Sequence, residues 1–97
     1  MKWRIHKQRL AEADLVDIWH YSLAQWDERQ ADEYLDKLAE GIRRLAKNPQ
    51  LGAKRDSVRE GYRVLFVASH AIYYTIGDEA IHIVRVLHDR MDPDKHL

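Results

Sequence analysis

Four basic side chains in the second half of the chain are the strongest candidates for chemistry. They are Arg63, Arg85, His88 and Arg90, and all four lie in or beside segments with strand character. Arginine binds carboxylates and phosphates through a planar fork of N–H donors, and histidine adds a nitrogen that titrates near neutral pH. We therefore predict that these residues contact a target.

The strand pattern around Arg85 leaves two roles open for this residue. Strict alternation over residues 81–87 places Arg85 on one face with three apolar side chains, Ile81, Ile83 and Leu87. A charge on an apolar face needs a partner because it loses its hydration there. Arg85 therefore either forms a structural salt bridge with an acid of the helices or anchors a carboxylate or phosphate of a partner.

Other groups with possible chemistry carry no recognisable enzyme or metal motif. The chain has no cysteine, which excludes disulfides, thiol nucleophiles and cysteine-ligated metals. Ser69 and His70 are adjacent, and we interpret them as a hairpin turn because sequence neighbours seldom reach a productive geometry. The acids and histidines of residues 88–96 match no metal-ligand spacing and are interpreted as a solvated tail. The sequence thus predicts no metal site and no cofactor.

Hydrophobic periodicity predicts the elements that must position these residues. Alternation indicates a strand at 3–7, and apolar spacings of three and four indicate helices at 11–26 and 30–47. Residues 48–61 have the composition of a loop. After this loop, β-branched and aromatic residues predict three strands with tight connections, at 62–68, 71–77 and 81–87.

These elements combine into one predicted α+β domain that spans residues 1–97. Its order is β-α-α-β-β-β, with an antiparallel helix hairpin packed on a three-stranded antiparallel meander. The N-terminal strand joins the same sheet. This arrangement buries the apolar stripes of both helices.

The composition is that of a small soluble domain: 97 residues, 45% hydrophobic and 33% charged. No apolar run is long enough to span a bilayer and no signal peptide is evident, so we expect a cytoplasmic protein without a membrane partner. The zero net charge disfavours direct nucleic-acid binding. Residues 10–40 nevertheless carry nine acids against two bases, and residues 41–63 carry seven bases against two acids. These blocks are either solvated faces or surfaces suited to a charged partner.

Several blocks of the sequence resemble the ParE toxins, within the RelE/ParE superfamily of bacterial toxin–antitoxin systems. The most specific are SHAIYY at 69–74 and IVRVLHDRMD at 83–92. Further matches are ADL at 13–15, LAKNP at 45–49 and GYR at 61–63. The resemblance extends over essentially the whole chain and implies the same β-α-α-β-β-β fold.

The resemblance also implies a function and its partners. It implies a toxin that inhibits DNA gyrase without enzymatic activity, and a ParD-like antitoxin that neutralises it in a toxin–antitoxin hetero-oligomer. The four basic residues would then contact the target, and no residue would be catalytic. We predict antitoxin-binding residues on the helix hairpin, namely Leu15, Ile18, Trp19, Tyr34 and Leu38.

Two alternatives remain open from the sequence. The superfamily's RelE branch cleaves mRNA on the ribosome with basic residues of the sheet and tail, and here His88 could serve as the base. Against that alternative, no tyrosine follows Arg90, and the segment before Tyr62 lacks the clustered lysines of that branch. The other alternative is an inactive module that still binds its antitoxin.

Overall fold

The computed structural model describes residues 3–97, and residues 1–2, where the predicted domain begins, lie outside the described residues. A short strand, β1 (Arg4–Lys7), precedes two helices, α1 (Arg9–Gln25) and α2 (Glu28–Lys47). Four strands follow: β2 (Ala53–Lys54), β3 (Arg63–Val67), β4 (His70–Ile76) and β5 (Ala80–His88). The predicted α+β architecture is confirmed.

The five strands within residues 3–97 form one sheet in the order β1-β5-β4-β3-β2. The strands β3, β4 and β5 form the antiparallel meander, and β1 lies parallel to β5, with Arg4 opposite Ala80. The prediction missed β2, which pairs with β3 inside the segment interpreted as a loop. A two-residue strand carries no alternation that a sequence pattern could detect.

The helix hairpin covers one face of the sheet and forms the main core with it. Its fully buried members include Leu38, Leu45, Ile72 and Tyr74. Gly41 lets α2 approach the sheet closely, because a Cβ at this position would lie 2.6 Å from Cγ2 of Val67. Burial of these side chains supplies the dominant favourable term for holding the hairpin on the sheet.

A β-bulge changes the predicted face of part of β5. Tyr73 pairs with Arg85 while Tyr74 pairs with Ile83, so one extra residue is inserted between these pairs. Ile83 therefore belongs to the helix-side core, whereas Leu87 packs in a second cluster with Tyr73. The prediction that Arg85 shares a face with Ile81 and Ile83 is wrong, because a bulge reverses the alternation that follows it.

The C-terminal segment is folded against the sheet rather than solvated throughout. It forms a 3-10 turn at Pro93–Lys95, and Leu97 packs on the second cluster. Among residues 3–97, no group of three or more histidines and acids is arranged to hold a metal ion. Neither helix is long and apolar enough to cross a membrane in this described part of the chain.

Candidate functional site

A groove of about 420 Å³ lies between α1 and the end of β5. Three segments line it, namely α1, the paired strands β4 and β5, and the residues after β5: Asp14, Asp17, Ile18, Tyr21, His70, Val86, Leu87, His88 and Met91. The four helical residues follow the spacing i, i+3, i+4 and i+7, so they lie on one face of α1. The groove is mostly apolar, with acids from the helix and histidines from the strands.

Asp14 joins α1 to β5 at one wall of this groove. Its carboxylate accepts hydrogen bonds from Arg85 Nε at 2.7 Å, from Arg85 Nη2 at 2.9 Å and from the Val86 backbone N–H at 2.9 Å. The side chains of Arg85 and Asp14 are only 16% and 13% exposed. The hydrogen bond to Asp14 raises the pKa of Arg85. Of the two roles left open for Arg85, the structure assigns the structural salt bridge.

Asp14 was not among the predicted site residues, although the sequence carries a signal for it. Asp14 lies in the helical stripe of Ala11, Leu15 and Ile18, and an acid within an apolar stripe requires a buried partner. The prediction expected Arg85 to pair with an acid of the helices but did not identify which acid. Only the packing of α1 on β5 connects the two.

The Arg63 side chain is also hydrogen-bonded within the chain. Its Nη1 donates to the carbonyl of Gly52 at 2.7 Å and lies 3.4 Å from that of Gln50. Tyr74 holds the same loop, since its hydroxyl donates to the Pro49 carbonyl at 2.6 Å and accepts from the Gly52 N–H at 2.9 Å. Arg63 therefore helps to fix the connection between α2 and β3.

His88 and Arg90 remain accessible at the end of β5. The His88 side chain is 43% exposed, and its Nδ1 lies 3.1 Å from Oδ1 of Asp89 and 3.2 Å from the Arg90 backbone nitrogen. Arg90 itself is exposed. The structure thus separates the four predicted target residues into two that are bound internally and two that a partner can reach.

An aromatic cluster connects α2 to the groove through His70. The Tyr34 hydroxyl lies 2.6 Å from His70 Nδ1 and accepts the Ser69 N–H at 3.2 Å. Burial raises the pKa of Tyr34, and the tautomer of His70 sets which of the two groups donates in this hydrogen bond. The ring of His70 also packs edge-on against His88, with centroids 5.3 Å apart.

The environment of His70 predicts a loss of stability at acidic pH. Burial, and secondarily the charge of His88, lower the pKa of His70 below its usual value. The unfolded chain therefore binds a proton at a higher pH than the folded chain, so stability is complete above about pH 6.5 and falls as the pH decreases towards the folded pKa. We expect the wild type to lose more stability between pH 7.5 and 5.5 than a His70→Gln variant, measured by urea unfolding. Equal losses would show that His70 does not titrate with folding.

The predicted antitoxin-binding residues fall into two groups. Leu38 is fully buried and Ile18 is 9% exposed, because the apolar stripes of the hairpin face the sheet. The structure does not offer Leu38 to a partner, and this prediction is corrected. Leu15, Trp19 and Tyr34 are partly exposed, and Trp19 donates from Nε1 to Asp32 of α2 at 3.0 Å. Their role in antitoxin binding stays a prediction.

The fold has a counterpart among solved structures. A chain of the chromosomal ParDE toxin–antitoxin system of P. aeruginosa superimposes with a TM-score of 0.79 at 21% sequence identity, covering 90% of this chain and 96% of that one. The two chains share one fold, in which a helix hairpin packs on a small mixed sheet. The class of domain is therefore an α+β fold in which a helix hairpin covers one face of a single small sheet.

Sequence relatives identify the family within that class. The model of the ParE toxin of type II toxin–antitoxin systems, parDE, matches residues 5–93. Toxin ParE1 of Mycobacterium tuberculosis is 43% identical over 88 residues, which is 90% of each chain. Toxin ParE1 of Caulobacter vibrioides is 39% identical over 89 residues, which is 92% of each chain. This chain belongs to the ParE toxin family.

Proposed function

We propose that this toxin inhibits DNA gyrase by binding it, without an enzymatic step, and that a ParD-like antitoxin neutralises it in a hetero-oligomer. Membership of the ParE family supports the proposal of gyrase as the target and of a ParD-like antitoxin as the neutralising partner. Because gyrase acts on chromosomal and plasmid DNA, this function places the toxin in the cytoplasm. The antitoxin would cover the accessible part of the helix hairpin around Trp19 and Tyr34.

The character of the groove is the observation that carries the proposal of a protein target. Its lining is largely apolar, and Asp17 is exposed beside it. A phosphate backbone would be repelled by this acid, and the cations Arg63 and Arg85 are already bonded within the chain. RNA cleavage needs a base together with cations that stabilise charge on the scissile phosphate. The arrangement suits binding to a protein better than cleavage of mRNA.

A supercoiling assay with purified gyrase tests the proposed function. We expect the toxin to abolish supercoiling or to stabilise double-strand breaks at micromolar concentration, and the antitoxin to reverse the effect. Replacing the accessible cation in Arg90→Ala should weaken inhibition about tenfold, in line with loss of a well-placed interface arginine. Arg29→Ala removes an exposed arginine of α2 and is the matched control, with no change expected.

Two other outcomes would replace this proposal. Codon-dependent cleavage of mRNA on translating ribosomes, with no effect on gyrase, would establish the RelE-type activity, and His88→Ala should then remove it. Tight antitoxin binding with neither activity would identify an inactive module.

A further inference from the structure

We propose that the groove between α1 and the end of β5 is the surface that docks on gyrase. We infer that it receives a gyrase segment in which a large apolar side chain is flanked by a lysine or arginine. This inference rests on the proposed function and specifies the contact by which the toxin would act.

The shape and lining of the groove account for the apolar part of this segment. Ile18, Val86 and Leu87 supply apolar walls, and a volume of about 420 Å³ lies in the range of sites that enclose a ligand. Tyr21 and Met91 extend the apolar surface outward, with 66% and 44% of their areas exposed. Large apolar side chains gathered at a cavity mark an interaction surface, whereas single exposed ones do not.

The charge beside the groove accounts for the cation. Asp17 is exposed, and among residues 3–97 it forms no salt bridge with a lysine, arginine or histidine. Asp14, one helical turn earlier, is by contrast fully engaged by Arg85 and Val86. Asp17 is therefore the carboxylate that a partner's lysine or arginine can pair with. Such pairing at the rim of an apolar contact fixes orientation and selects the partner.

The position of the groove favours gyrase over the antitoxin as its occupant. His88 lines the groove, and Met91 follows directly after Arg90, so the groove is continuous with the two accessible target candidates. Of the predicted antitoxin-binding residues, only Ile18, which is 9% exposed, lines the groove, whereas Trp19 lies outside the lining and bonds to Asp32 between the two helices. The groove thus offers the target a surface that four of the five antitoxin candidates do not line.

Two groove variants and two matched controls test this assignment. Tyr21→Ala removes the outer apolar wall, and Asp17→Lys reverses the rim charge. Val16→Ala truncates an exposed residue of α1 that lies five positions earlier, about 140° around the helix from Tyr21. Asp36→Lys makes the same charge reversal at an exposed position of α2.

We expect each groove variant to raise the toxin concentration for half-inhibition of supercoiling by about tenfold or more, as for an interface anchor. Both controls should inhibit like the wild type. The antitoxin dissociation constant, measured by calorimetry, and the thermal midpoint should be unchanged in all four variants.

Three results would overturn the inference. Wild-type inhibition by Tyr21→Ala and Asp17→Lys would exclude the groove from the gyrase contact. Loss of antitoxin binding with inhibition retained would assign the groove to the antitoxin. If the wild type itself fails to inhibit gyrase while binding its antitoxin, the proposed function fails together with this inference, and that result is distinguishable because no variant is needed to see it.

Discussion

Replacing Asp14 by alanine should destabilise the domain by about 3 kcal/mol or more. The change removes the carboxylate that pairs with Arg85, in a site where only 16% of the Arg85 side chain is exposed, and leaves the neutral His96 carbonyl as the acceptor from Nη1. Removing one member of a buried ion pair costs about 3–5 kcal/mol because the remaining charge is left uncompensated. The Val86 N–H also loses the Asp14 carboxylate as its acceptor. Urea unfolding followed by tryptophan fluorescence measures the change.

The reason for this sensitivity lies at the edge of the sheet. The register of β1 with β5 ends at Ile83, and no strand among the described residues pairs with the next part of β5 on that side. Asp14 takes the place of a strand there by accepting the Val86 N–H. An unpaired buried backbone donor is unfavourable, which makes this carboxylate part of the sheet's hydrogen bonding.

A matched control separates the loss of the buried Asp14–Arg85 pair from the loss of an exposed ion pair. Glu40 pairs with Arg43 at 2.7 Å, but both side chains are more than 60% exposed. Such surface pairs contribute little, since water solvates both charges. Glu40→Ala should therefore leave the urea midpoint almost unchanged. An Asp14→Ala variant as stable as Glu40→Ala would contradict a stabilising role for the buried pair.

The second large effect is expected at Gly52, where replacement by alanine should destabilise the domain by about 2–4 kcal/mol through overpacking and lost hydrogen bonds. An added Cβ would lie 2.6 Å from the Val64 carbonyl oxygen and 2.7 Å from the Tyr74 hydroxyl. Neither neighbour can move freely, because Tyr74 is fully buried and bonded to Pro49 and Gly52. Thermal and urea unfolding of the variant measure the loss.

A double-mutant cycle tests whether the steric clash and the hydroxyl act through one contact. Tyr74→Phe leaves the buried Gly52 N–H and the part-buried Pro49 carbonyl without this partner, at about 1–3 kcal/mol for a fully buried group. Residues in one hydrogen-bond network give non-additive effects. The double variant should therefore lose less stability than the sum of the single variants. Tyr21→Phe, which removes an exposed hydroxyl, is the control, and full additivity would argue against a shared contact.

Periodicity located the helices and the main strands, because their apolar residues repeat with the period of the element. The prediction began both helices two residues late. For α2 the start is set by Asp27, whose carboxylate accepts the Gln30 N–H at 2.8 Å and caps the helix. The strand β2 and the bulge in β5 had no periodic signal. The bulge placed Arg85 and Ile83 on opposite faces of the sheet, where the sequence pattern had predicted the same face.

The candidate site was predicted only in part, because its contacts join residues that are far apart in the sequence. Composition and resemblance selected four cations, but a residue type does not show whether its charge is already paired. Arg63 donates a hydrogen bond to Gly52, which is 11 positions away in the sequence, and Arg85 donates to Asp14, which is 71 positions away. The hydrogen bond of Tyr34 to His70 likewise spans 36 positions. No local pattern connects such distant residues.

By itself, the sequence determined the α+β class, the order of the helices and the main strands, and the family, because local periodicity and extended similarity are properties of consecutive residues. Tertiary structure alone decided which side chains a partner can reach. Packing of the hairpin on the sheet buried Leu38 and joined Asp14 to Arg85, and it left Asp17, Tyr21 and His88 around an open groove. Burial and charge pairing depend on what meets across the fold, and this is why the site required the structure.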